Sequence, residues 1–134
     1  MSLALALALL AAQEPQWNCA DPQTQSEMNA CAQIDFERAD AELNAEYRSA
    51  IAYAREADRT DPAARLPSDD RPGDEATLRE AQRAWVAFRD AHCRLQGYEA
   101  RGGSMEMMLY DGCRAALTRA RTAQLRGTAT AGDR

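Results

Sequence analysis

Thr24 to Ala54 reads TQSEMNACAQIDFERADAELNAEYRSAIAYA, and this stretch decides the fold. It opens on Thr24-Gln25-Ser26-Glu27 just after Pro22. That order is a capping box, in which the threonine hydroxyl and the glutamate carboxylate each satisfy a backbone N–H at the start of a helix. Met28, Ala32, Phe36, Ala39, Leu43, Tyr47, Ala50 and Ala54 then recur at spacings of four and three. Side chains so spaced fall on one face of an α-helix and draw an apolar stripe about seven turns long. Neither Gly nor Pro interrupts the run before Pro62, so a single long helix is expected.

Residues 59–74 hold three prolines and one glycine and read as a loop between antiparallel helices. A second helix is expected from Asp74 or Glu75, where acids suit the positive end of the dipole, to about Gly97. Its expected stripe is Leu78, Ala81, Trp85, Phe88, His92 and Leu95. Gly102-Gly103-Ser104 breaks the chain before a third helix. That helix is expected to turn Met105, Met108, Leu109, Gly112, Cys113, Ala116, Leu117, Ala120 and Gln124 to one side, leaving Met107 exposed. From Gly127 the periodicity stops, and residues 127–134 read as a disordered tail. No strand pattern or internal repeat is present. The expectation is one small all-α domain of three main helices over residues 13–126, the long first helix antiparallel to the second.

Before it, Leu3 to Ala12 (LALALALLAA) is an unbroken apolar run. A bilayer span needs roughly 20 apolar residues, so this run suits the core of a secretory signal with a cut near Ala12, and no stable membrane insertion is expected. Export agrees with four cysteines, Cys19, Cys31, Cys93 and Cys113, which lack zinc-ligand spacing and read as two disulfides. Three connectivities are open. The preferred one joins Cys19 to Cys31, folding the arm onto the first helix, and Cys93 to Cys113, clamping two neighbouring helices. The alternative ties the arm and first helix to the last two.

Charge and composition exclude several functions. The chain of 134 residues has net charge −5, poor material for a nucleic-acid binder whose affinity rests on neutralising phosphates. All 16 basic residues are Arg, so lysine chemistry is absent, and His92 is the single histidine. His92 falls on the expected core face and its neighbour Cys93 is expected in a disulfide, which leaves no Cys–His nucleophile. No strained Gly-x-Ser-x-Gly turn occurs, and nothing places a second carboxylate opposite Asp40 at glycosidase separation. Asp40 flanks the first stripe and Arg89 flanks the second, so a structural Asp40–Arg89 ion pair is expected. No cofactor, no metal and no enzymatic activity are expected. Residues 13–73 carry 13 acids against 6 Arg, whereas residues 74–126 carry 7 against 9. An acidic first helix therefore faces a mildly basic hairpin, which either sets helix orientation or steers a basic partner.

Two blocks carry a family likeness. The first is Cys19, Thr24-Gln25-x-Glu27-Met28-Asn29-x-Cys31 and Ala39-Asp40-x-Glu42-Leu43-Asn44-x-x-Tyr47. The second is Gln82-Arg83-x-Trp85-x-x-Phe88-Arg89-Asp90-x-x-Cys93, Gly102-Gly103-Ser104, Cys113 and Thr118-x-x-Arg121-x-x-x-Leu125. Together they resemble the secreted LprI-type lysozyme inhibitors over residues 17–126. The resemblance implies an exported helical protein, periplasmic or secreted, and a lysozyme as the partner. No lipobox cysteine follows the apolar run, which speaks against a lipid anchor. On that reading Gly102, Gly103 and Ser104 would enter the enzyme's cleft and Arg101 would meet its carboxylates. Asp35, Glu42 and Glu46 would steer the basic enzyme. A helical envelope interaction module with another partner is the competing expectation. The sequence leaves the oligomeric state open.

Overall fold

The computed structural model describes residues 16–62 and 66–130, and the Leu3–Ala12 run lies outside them. Among the described residues three α-helices form: α1 (Gln25–Thr60), α2 (Asp74–Gly97) and α3 (Glu106–Thr130). A 3-10 turn over Tyr98–Ala100 follows α2. At a rise of 1.5 Å per residue, α1 is about 54 Å long and the other two helices roughly two-thirds of that.

The caps explain where the helices begin and end. Thr24 Oγ1 accepts from the Glu27 amide at 3.2 Å, and the Glu27 carboxylate accepts from the Thr24 amide at 3.0 Å and the Gln23 amide at 2.6 Å. Those amides hold the Glu27 carboxyl below its ordinary range. At the far end Asp61 donates to the Ala57 carbonyl, and Pro62 stops the ladder. Gly73 gives α2 no side-chain cap. Asp58 of α1 replaces it, accepting from the amides of Asp74 at 2.6 Å and Glu75 at 3.0 Å. The loop is thereby tied at its exit, and α2 starts antiparallel to α1.

Side-chain bonds fix the directions of the other elements. Arg89 of α2 reaches Asp40 near the middle of α1. Gln25, Asp35 and Glu46 of α1 meet Met108, Arg119 and Arg126 of α3 in the same order along the chain. α3 is therefore parallel to α1, and α2 runs against both. The core is thin. Leu43 and Ala50 of α1 and Leu125 of α3 are its buried apolar centre, with Tyr47, Leu78 and Trp85 packed around them. Every residue of the expected α1 stripe is buried or half-buried. The bonds Cys19–Cys31 and Cys93–Cys113 are formed, and no cysteine is free.

Three expectations need correction. On α2 the buried face is Gln82, Arg89, Cys93 and Gly97, whereas Phe88 is 56% and Leu95 67% exposed. The helix is rotated because a buried arginine and a disulfide, not the largest apolar side chains, fix its inner face. The α3 stripe is displaced further. Its buried residues are Asp111, Ala115, Thr118, Thr122 and Leu125, while Met105, Gly112, Ala116, Ala120 and Gln124 are exposed. Short polar side chains suit that seam because they find bonds inside it: Thr122 Oγ1 donates to the Thr118 carbonyl at 2.9 Å, and Asp111 pairs with Arg114. Finally, α3 does not fray at Gly127 but continues to Thr130, with Thr128 Oγ1 donating to the Gln124 carbonyl at 3.1 Å.

Candidate functional site

The residues capable of chemistry are largely absorbed by the fold. Arg89, 6% exposed, lies where the three helices meet. Its Nη1 donates to Asp40 Oδ1 at 3.1 Å and Thr118 Oγ1 at 3.3 Å, and its Nε to Asp90 Oδ1 at 2.9 Å. Its guanidinium also stands 5.1 Å from the ring centres of both Phe36 and Trp85. Asn44 donates to the other oxygen of Asp40 at 3.2 Å. Arg121 donates to Gln82 at 3.0 Å and stands over the Trp85 ring. Asp40 is thus a counter-ion held in place, and many residues of the two quoted blocks are joined in one polar network. His92 is half-buried and stacks on Phe88 at 5.3 Å between ring centres, outside the core rather than in it. Cys93 is in a disulfide, so the pair cannot act as base and nucleophile. Among the described residues no three His, Cys, Asp or Glu gather to hold a metal.

The connection from α2 to α3 is different in kind. Arg101, Gly102, Gly103 and Ser104 are all exposed, yet the loop is held at several points. Gly102 has φ +77°, the left-handed region that favours glycine, and its amide donates to Glu106 Oε2 at 2.7 Å. The Gly103 amide donates to the Ala100 carbonyl at 2.8 Å, and a Cβ on Gly103 would stand 3.1 Å from that oxygen. Asn29 of α1 donates to the Ser104 carbonyl at 2.9 Å, fixing the loop to the first helix. Arg101 lies over the Tyr98 ring, its guanidinium carbon 4.4 Å from the centroid, and extends no bond to a carboxylate within the loop. The result is a preformed, surface-presented turn with a cation on its flank.

Beside it is a cavity of about 290 Å³ lined by Arg94, Gly97, Tyr98, Glu106, Met107 and Tyr110. Sequence reasoning missed this hollow. Its signal was Gly97, whose missing side chain lets α2 approach α3 so closely that a Cβ would lie 3.3 Å from the Glu106 carbonyl.

The acidic residues divide. Asp35 is paired with Arg119, and Glu46 Oε1 accepts from Arg126 Nε at 2.9 Å. Both pairs bind α1 to α3, so complementarity between helices accounts for these two acids. Glu42 is exposed on the same helix and keeps its charge toward solvent.

A family model described as "Lysozyme inhibitor LprI" matches residues 18–125. An uncharacterised protein of Rhizobium meliloti (strain 1021) is 45% identical over 117 residues, covering 86% of this chain and 81% of its own length. No solved structure matches the chain.

Proposed function

The chain belongs to the LprI lysozyme inhibitor family, and from that premise we propose that it is a non-enzymatic inhibitor that closes a lysozyme's cleft with the Arg101–Ser104 loop. The observation that carries the proposal is the loop itself, exposed but held by Glu106, Ala100 and Asn29. A turn fixed before binding loses little conformational freedom on docking, which is how a small contact can bind tightly. Lysozyme works with two carboxyl groups flanking the scissile bond. Arg101 is the side chain on this loop able to meet them, and Gly102 and Gly103 let the backbone approach closely. Glu42 and the net charge of −5 favour encounter with a basic enzyme. Two disulfides belong with an oxidising compartment, and no described helix is long and apolar enough to cross a membrane. A periplasmic or secreted location fits both.

The test is lysis of a bacterial cell-wall suspension by a c-type lysozyme, titrated with the oxidised chain at low salt. Saturating inhibition near one-to-one is expected, weakening toward about 0.15 M salt, where the Debye length falls to about 8 Å. Arg101→Ala should weaken inhibition at unchanged folding stability. Gly102→Ala should weaken it too, because a Cβ is strained at φ +77° although nothing lies within 4 Å of it. A folded, oxidised chain that fails to inhibit at large excess would sink the proposal.

A further inference from the structure

Among the described residues, nothing covers the outer face of α2. Thr77, Ala81, Ala84, Phe88, Ala91 and Leu95 are all exposed. They recur at spacings of four, three, four, three and four. This alternation of four and three is the spacing of a coiled-coil seam, and at 1.5 Å per residue it runs about 27 Å. Its centre lies roughly 140° around the helix from the buried face of Gln82, Arg89 and Cys93, so α1 and α3 stand behind it and leave it open. No charged residue interrupts it.

We propose that this face pairs with the same face of a second copy, the two α2 helices running antiparallel about a two-fold axis near Val86. Three features of the seam select a copy of itself as occupant. With the axis there, Phe88 of each chain faces Ala84 of its partner, Leu95 faces Thr77, and Ala81 faces Ala91. Each large side chain therefore meets a small one, as knobs-into-holes packing requires. His92, stacked on Phe88, holds the ring that serves as the knob. Along one edge of the seam stand Glu80 and Arg94, both exposed. Antiparallel pairing sets Glu80 of each chain within reach of Arg94 of its partner, two equivalent ion pairs from one symmetry operation. A parallel pair would instead set Phe88 against Phe88 and turn the Glu80–Arg94 edge of each chain toward the opposite edge of its partner, so the two charges would not meet.

The contact uses one helix from each copy, at the small end of interface sizes, below about 1,200 Å². Association is therefore concentration-dependent. It also leaves both Arg101–Ser104 loops free at opposite ends of the pair, so it neither requires nor blocks lysozyme binding.

Sedimentation equilibrium of the oxidised chain from roughly 10 µM to 1 mM, the range where so small an interface associates, tests this. A monomer–dimer equilibrium is expected. Phe88→Glu should abolish it with helix content and both disulfides intact, since Phe88 is 56% exposed and stands outside the core cluster. Glu80→Arg and Arg94→Glu should each weaken it at least about tenfold by setting like charges together, and the double exchange E80R/R94E should restore it. A chain that stays monomeric to the highest concentration overturns the proposal. So does self-association indifferent to these substitutions, which would place the contact elsewhere, or a double exchange that fails to rescue.

Discussion

Arg89 shows how one residue can stand where a larger apolar core is missing. It is almost wholly buried, and its acceptors come from α1, α2 and α3. A buried guanidinium is stable only when its donors are matched, and here two carboxylates and a hydroxyl do so while two aromatic rings cover its faces. Removing it strands Asp40 and Thr118 together, so Arg89→Ala should cost about 3 kcal/mol in denaturant unfolding of the oxidised chain. Asp40→Asn should cost less, about 1 kcal/mol, because the asparagine Oδ1 can still accept from Arg89 and Asp90 keeps the guanidinium charge paired. Equal losses for the two would show that Arg89 contributes through its pair with Asp40 alone. The Asp40–Arg89 pairing was legible in the sequence because each residue flanks an apolar stripe. Thr118 was not, since a threonine in a helix announces no buried partner.

At the scale of elements, α1 was legible because its periodicity and cap agree: Thr24, the stripe and Pro62 place both ends. The faces of α2 and α3 were not, and the reason is physical. A hydrophobic stripe predicts the buried face only where apolar area decides the packing. Here Arg89 and Cys93 orient α2, while Thr118 and Thr122 line α3; Leu78 and Trp85 of the α2 stripe still pack on the core, but Phe88 and Leu95 turn to solvent. The loop at Gly102 and Gly103 was readable from the glycines, but its ties to Glu106 and Asn29 span the turn and a second helix. The join between α1 and α2 makes a prediction of its own. Glu75 accepts from Arg55 of α1 and from Arg79 one turn on, and these bonds, Arg55 first, lower its carboxyl from 4.5 to about 2. Because the folded value lies below the unfolded one, the join is favoured above pH 4.5 and this support is lost as pH falls through 2. The site is exposed, so the effect is local and modest. Carboxyl NMR titration should give Glu75 a midpoint near 2, and Arg55→Ala should bring it back toward the ordinary value. A midpoint unmoved by Arg55→Ala would assign the shift to Arg79 alone.

At the scale of the whole molecule, the two disulfides do different things although both close short loops. Few large side chains are fully buried: Leu43, Leu125, Thr118 and Cys93. A chain with so thin a core leans on its staples. Neither bond crosses from α1 to the hairpin of α2 and α3, so non-covalent ties hold those parts together, the Arg89 network and the Leu43–Leu125 contact at the core and the Asp35–Arg119 and Glu46–Arg126 pairs at the surface. The separations are 12 residues for Cys19–Cys31 and 20 for Cys93–Cys113, and loop entropy alone gives about 3 kcal/mol for either. That figure applies in full only when both ends of the loop stay folded after the bond is cut. Cys93 is wholly buried against α3, so C93S/C113S should show nearly all of it as a lowered midpoint of global unfolding. The arm of residues 16–24 is exposed except at Pro22, and its turn makes only short-range backbone bonds. Without Cys19–Cys31 the arm should leave α1 in the native state, so C19S/C31S should cost well under the entropic figure. The two tryptophans separate these outcomes, since Trp17 lies on the arm and Trp85 packs against the core. In C19S/C31S the Trp17 signal should become that of an unfolded chain before denaturant is added, while Trp85, followed in a Trp17→Phe background, keeps its cooperative transition. If Trp85 instead lost its transition, the arm would have to be part of the cooperative core, contrary to its exposure.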